Sequence, residues 1–273
     1  MSANTLSSRT YRDLIRSTTL QETLYTATVI EAVADMDRSG KKVIQNPYAS
    51  VPTIVIQAIA GTYTPAAYTT TDDALTVSQE LIVSEQVYDF EATLTDFHMF
   101  QERTKRMSRN IAVALDKQAI SDVLGTTGIS TLAVTAGFAS FGVLKALGQL
   151  QGLVAGYANG LNDVFLVIES TDIAAFIQAQ VSTGFNMADM ALKNGFMGNY
   201  LGVDIYVVRS GVSPSNHRLG GIKKRFTVAL PEKWKFEEKG VSGKTGKEIV
   251  LYGYYGSKVW HNNLPLIVDV QVA

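Results

Sequence analysis

Apolar positions along this chain repeat first with a helical period, then with a period of two, then in alternating blocks. Leu20, Leu24, Val29, Val33 and Met36 recur at roughly helical spacing, which predicts a helical tendency in an arm over residues 1–38, weakened by its threonines. Ser39-Gly40 marks a turn, and residues 42–47 predict a short strand stopped by Pro47. Ile54, Ile56 and Ala58 alternate with Val55, Gln57 and Ile59. After Gly61, Pro65 and a Tyr/Thr cluster, Leu75, Val77, Leu81 and Val83 share one parity, as in a strand with one buried face. Together these segments predict a long two-stranded hairpin with an extended tip near residues 63–71. Such a hairpin is marginally stable alone and needs a surface to lie on.

A long helix is predicted over residues 96–124, capped by Thr95 or Asp96. Its apolar stripe is Phe100, Met107, Ile111, Ala114 and Leu115, and Gly125 and Gly128 end it. Helices and strands then alternate. Val143, Leu144, Leu147, Leu150 and Val154 mark an amphipathic helix, residues 164–168 a strand, and Thr171 a cap for a helix reaching residue 180. Residues 181–193 read as a Met-rich loop, and Gly195, Gly198 and Gly202 as turn and close-approach glycines before a strand at 203–208. Strands return at residues 226–230, 233–237, 248–255 and 266–272. The fold class is α+β.

Composition narrows the chemistry. Of 273 residues, 24 are Lys or Arg and 25 are Asp or Glu, a formal net charge of -1, which argues against a dedicated nucleic-acid binder. With no cysteine, disulfides and thiolate chemistry are excluded. The uncharged stretches at residues 43–71 and 123–144 are broken by Pro and Gly, so neither reads as a membrane span. Charge is unevenly spread. No Lys or Arg falls between Lys42 and Arg103, whereas Asp72, Asp73, Glu80, Glu85, Asp89, Glu91, Asp96 and Glu102 lie there; residues 217–273 hold ten cations against five acids. The acidic segment is expected to favour a basic neighbour.

No catalytic, cofactor-binding or metal-ligating residue emerges. Gly243-Lys244-Thr245 ends like a phosphate loop, but position 238 is Glu where that loop needs Gly, and both flanks read as strands. His98, His217 and His261 are not at metal-ligand spacing and have no nucleophile elbow to serve. The pairs Asp72-Asp73 and Glu237-Glu238 fall in a loop tip and a strand end. No enzyme activity and no cofactor are expected.

The ordered set of elements resembles a family. Ser39-Gly40-Lys41-Lys42-Val43-Ile44, Tyr88-Asp89-Phe90-Glu91 leading into the long helix, Asn194-Gly195-Phe196-Met197-Gly198 with Gly202-Val203-Asp204-Ile205-Tyr206, and Val250-Leu251-Tyr252-Gly253-Tyr254-Tyr255-Gly256 with Leu264-Pro265 carry the likeness. It is to the major capsid proteins of tailed double-stranded-DNA bacteriophages, of the Hong Kong ninety-seven type, a fold also found in encapsulins. The resemblance implies an N-terminal arm (1–41), an extended loop with flanking strands (42–94), the spine helix of a peripheral domain (95–125), and an axial domain (126–224). Peripheral-domain return strands (225–257) and closing strands (258–273) would follow.

The same resemblance implies self-assembly into pentamers and hexamers that close an icosahedral head shell around phage DNA. Expected partners are further copies of the chain, a scaffolding protein, a portal, a decoration protein and non-specifically packaged double-stranded DNA, with no membrane. The expected location is the virion capsid, assembled in the host cytoplasm. Some members crosslink through a lysine of the extended loop; this loop has none, so no such crosslink is expected. A separate scaffold, rather than a large cleaved N-terminal segment, is expected as well. The alternatives are an encapsulin-type compartment shell and a soluble α+β enzyme.

Overall fold

The computed structural model describes residues 31–33, 43–45, 48–49, 70–88, 98–135, 137–138, 142–154, 163–183, 196–229, 235–241 and 246–272. The arm before residue 31, the hairpin limb at 54–59 with its tip, the expected helix cap at Thr95 or Asp96, and the loop from residue 184 to 195 lie outside them.

Five short or edge elements come first: β1 (Glu31–Val33), β2 (Val43–Gln45), β3 (Tyr48–Ala49), β4 (Thr70–Thr71) and β5 (Ala74–Thr76). β6 (Gln79–Tyr88) leads to the long helix α1 (His98–Leu124). β7 (Ser130–Val134), α2 (Val143–Val154), β8 (Val164–Glu169), α3 (Ile173–Thr183), β9 (Phe196–Tyr200), β10 (Val203–Val208) and β11 (His217–Ile222) follow. The chain then makes β12 (Phe226–Ala229), β13 (Lys235–Gly240), β14 (Gly246–Val259) and β15 (Ile267–Val272).

Among the described residues two large sheets organise most of these elements, and β2 with β5 and β3 with β4 form two-stranded pairs. One large sheet has β14 at its centre. β6 pairs antiparallel along ten of its residues, and β12 and β13 pair with successive stretches of it. β1 lies parallel to β12. The other sheet runs β7-β15-β11-β8-β10-β9. β8 is buried along its whole length, with Val164, Leu166 and Ile168 facing the core under α2 and α3 and Phe165 and Val167 facing the core shared with α1. Burial on both faces is why this strand reads as an unbroken apolar run.

α1 ties the sheets together through an unusual stripe. Met107, Ile111, Leu115, Ala119 and Val123 are all buried at intervals of four residues. Because a helix turns every 3.6 residues, each interval advances the stripe by about 40°, or about 160° from Met107 to Val123. Met107 and Ile111 pack on Ile249 and Leu251 of β14, with Leu81 and Val83 of β6 alongside. Leu115, Ala119, Ile120 and Val123 join a different core, with Phe165, Val167 and Tyr206 of the six-stranded sheet and Phe226 and Tyr255 of the other. The helix is therefore gripped on different faces at its middle and at its C-terminal end.

Several expectations are corrected. Residues 31–33 form a strand, not helix: β12 offers an edge, and a three-residue segment follows its neighbour rather than its own propensity. The shared parity of Leu75, Val77, Leu81 and Val83 is real, since Leu75 is buried and Val77, Leu81 and Val83 half-buried, but the segment is not one hairpin limb. β5 pairs with β2 while β6 pairs with β14. Ala114 faces solvent, whereas Ala112 is buried. The cap before α3 is not Thr171: the Glu169 N–H donates 3.0 Å to Asp172 Oδ2 across a short 3-10 turn, with a reciprocal bond to the Glu169 side chain. α3 continues to Thr183, into the stretch expected as loop. The strand expected at 233–237 runs from Lys235 to Gly240, and β14 reaches four residues beyond the expected 255, to Val259.

β7, β9 and β11 were not anticipated. β11 contains Gly220-Gly221, which looks like a break. A Cβ on Gly220 would sit 3.1 Å from the Leu150 side chain, and one on Gly221, at φ +139°, would sit 2.3 Å from the Leu266 carbonyl oxygen. The glycines are there so that a central strand can be approached closely.

Candidate functional site

Among the described residues, four groups of polar side chains each fasten one element to another. The first is the joint between α1 and β14. The hydroxyl of Tyr255, a residue with no exposed surface, donates to Asp122 Oδ2. Ser257 Oγ donates to the same oxygen at 2.7 Å, and Gln118 Nε2 donates to Asp122 Oδ1 at 2.8 Å. Burial, reinforced by the bond to Asp122, pushes the Tyr255 hydroxyl well above the usual tyrosine range.

The second lies where β8 and β11 end together. Arg218, 6% exposed, donates from Nε to Asp172 Oδ2 at 2.7 Å and from Nη2 to Glu169 Oε2 at 3.3 Å, while the Gly211 N–H donates 3.0 Å to Glu169 Oε1. Both carboxylates are thus paired and hydrogen-bonded, the condition under which buried charges persist. Next to it, His217 Nδ1 lies 2.9 Å from both oxygens of the buried Asp269, which also accepts from Gln271 Nε2. That arrangement fastens β11 to β15.

The third joins β10 to the turn after β11. Lys223 pairs with Asp204, and its ammonium lies 5.8 Å from the centre of the Tyr206 ring. Burial works to lower the Lys223 pKa, but the hydrogen bond to Asp204 and the approach of Tyr206 outweigh it, and the net shift is upward.

The fourth fixes the segment entering β5. Lys258 pairs with Asp73 and donates 2.6 Å to the Ala74 carbonyl; the His261 N–H donates 2.9 Å to Asp73 Oδ2. Burial acts to raise the Asp73 pKa, but the hydrogen bonds from Lys258 and His261 prevail and hold it below the usual value. Beneath, Leu75, Ala229 and Trp260 form a small core. A Cβ on Gly256 would come 2.8 Å from the Thr76 carbonyl oxygen, so β14 admits this segment only because residue 256 is glycine. Asp73, expected to seek a basic neighbour, finds its cation in its own chain.

These carboxylates are occupied in holding strands and helices together. Among the described residues no cluster of three or more His, Asp or Glu has metal-binding geometry, and no helix is long and apolar enough to cross a membrane. Gly243-Lys244-Thr245 falls outside the described residues, but β13 and β14 on either side pair antiparallel up to Gly240 and Lys247, so a strand follows it and the helix that a phosphate loop requires does not. Glu237-Glu238 lies inside β13, and Glu237 accepts 2.6 Å from the Tyr252 hydroxyl, which this bond pushes up to about 12. The side chain of His98 lies outside the described residues; His261 contributes its backbone N–H to Asp73.

What the fold presents outward is surface. Ile82 is 57% exposed and Tyr254 45%, and they stand on the face of the β6–β14 pair opposite α1, where Ile82 is in register with Tyr252.

No protein-family model matches the sequence, and no curated protein matches it. Solved structures do. A structure of Mycobacterium phage Che8 is similar over 89% of each chain, at 16% identity and a TM-score of 0.68. The capsid of a native GTA particle is similar over 93% of this chain and 90% of its own, at 14% identity and a TM-score of 0.69. A virus-like particle from Pyrococcus furiosus is similar over 96% of this chain and 98% of its own, at 11% identity and a TM-score of 0.61. At such identities the likeness concerns the backbone path and not the side chains. This chain has the fold of those phage, GTA-capsid and virus-like-particle structures along nearly its entire length.

Proposed function

We propose that this chain is a shell subunit, the major capsid protein of a tailed bacteriophage, which self-assembles into an icosahedral head around packaged DNA and performs no catalysis. The observation that carries the reading is end-to-end structural likeness: about nine-tenths of this chain and of the GTA capsid chain follow one path.

In this reading the six-stranded sheet with α2 and α3 is the core of the axial domain. The β14-centred sheet with α1 as spine is the peripheral domain, and residues 42–94 are the extended loop with its flanking strands. Pentamers and hexamers of the chain, a scaffolding protein, a portal, a decoration protein and double-stranded DNA are the partners it calls for, with assembly in the host cytoplasm. An encapsulin-type shell is the second and less favoured reading, since the phage Che8 and GTA-capsid structures match at TM-scores of 0.68 and 0.69.

Negative-stain electron microscopy of the purified chain, expressed alone and with its scaffold, tests the proposal. Uniform polyhedral shells are expected, with DNA in particles from infected cells. Protein cargo in place of DNA would favour the second reading, and a small soluble oligomer under both conditions would overturn both.

A further inference from the structure

Leu201 sits where its side chain fits badly on two independent counts. It and Gly202 are the two residues connecting β9 to β10, with φ of 51° and 82°. A two-residue hairpin connection of this kind takes positive φ at both positions, which Asn, Asp and Gly accept readily and a leucine adopts only under strain. Leu201 is also 46% exposed, so burial within the chain does not compensate. Nor can the turn relax. Gln151 of α2 donates its side-chain amide to the Leu201 carbonyl, and the Gly202 N–H donates 2.9 Å to Asn199 Oδ1. Asn199 Nδ2 in turn donates 2.7 Å to Asp204. Strain that the surroundings hold in place points to a use for the residue.

We propose that Leu201 is an assembly contact, its side chain buried against a second copy of this chain. The inference rests on the shell-subunit reading. The charges beside the tip are matched, since Asp204 is paired with Lys223, leaving a braced, locally neutral, apolar knob at the β9 end of the six-stranded sheet. Such a knob offers no cation to a phosphate backbone and suits an apolar recess on protein. A formal net charge of -1 lets copies approach without long-range repulsion.

The test compares the full-length chain with Leu201→Asn and Leu201→Met, following thermal unfolding of the dissociated subunit and, separately, assembly by light scattering and electron microscopy. Asn suits the turn but removes the apolar contact. Its subunit should melt about 2–4 °C higher, while the concentration needed for assembly rises about tenfold or more. Leu201→Met keeps the apolar reach and should assemble like the parent. Normal assembly of Leu201→Asn overturns the proposal. A fall in both its melting temperature and its assembly also overturns it, by making Leu201 an internal packing residue. Failure of the parent chain itself to form shells removes the shell-subunit reading and this inference with it.

Discussion

The hydroxyl of Tyr255 and the carboxylate of Asp122, 133 residues apart in sequence, meet in the buried joint between β14 and the last turn of α1. Removing the hydroxyl in Tyr255→Phe leaves Asp122 with Ser257 and Gln118 but costs a charge-assisted hydrogen bond, about 1–2 kcal/mol. The dissociated chain should then melt roughly 3–6 °C lower in a calorimetric scan. An unchanged melting temperature would show that the joint is held by packing alone.

The same hydroxyl predicts behaviour in alkali. Its pKa is raised in the folded chain above the ordinary 10.0, so its contribution to stability is complete below pH 10 and is lost as pH rises through the folded value. Absorbance titration should show Tyr255 ionising only as the chain unfolds, and Tyr255→Phe should remove that component. Smooth ionisation of every tyrosine without unfolding would contradict the buried placement.

Asp73 predicts the opposite limb. Its pKa lies below the ordinary 3.8, so its stabilising effect is present above that value and disappears as pH falls through the lower folded value. The difference in melting temperature between parent and Asp73→Asn should be constant near neutrality and shrink in acid below pH 3.8. A difference that persists undiminished at the lowest pH would assign the effect to something other than the pair with Lys258.

Two glycines with positive φ separate strain from collision. Gly211, at φ +83°, has open space where a Cβ would go, whereas a Cβ on Gly221 would strike the Leu266 carbonyl. Gly211→Ala should cost about 1 kcal/mol, and Gly221→Ala at least about 3 kcal/mol or the fold itself. Denaturant midpoints compare the two; equal losses would mean that β11 and β15 can move apart at little expense.

Charge pairs should differ by burial in the same manner. Arg218→Ala strands Glu169 and Asp172 in a nearly dry site and should cost about 3–5 kcal/mol. Lys239→Ala removes a partner of Glu237 whose side chain is 59% exposed and should cost under about 1 kcal/mol. Chemical denaturation of both variants checks the contrast.

Which parts of the fold were legible in the sequence follows from where each element finds its stabilisation. α1, α2, β8 and β10 carry their own periodicity, and most of the apolar positions it marks are buried, with Ala114 an exception. β1 has three residues and takes its form from β12. β9 contains Gly198-Asn199, and β11 Gly220-Gly221, poor strand formers; in β11 they are tolerated because neighbours approach closely. The polar joints were invisible for another reason: Asp122 and Tyr255, or Arg218 and Glu169, are brought together only by the completed topology. The strain at Leu201 was equally hidden, since a Leu-Gly pair does not announce a turn as Asn-Gly does.

The position of β15 between β7 and β11 sets a schedule for synthesis. β7 pairs with β15 and with no other strand among the described residues, and its partner lies roughly 140 residues further along the chain. At translation rates of about 5–20 residues per second, a ribosome needs roughly 7–28 s to deliver it. Throughout that interval Leu132 and Val134 wait without the strand that will cover their flank, so the nascent subunit carries an open sheet edge until β15 emerges and closes it.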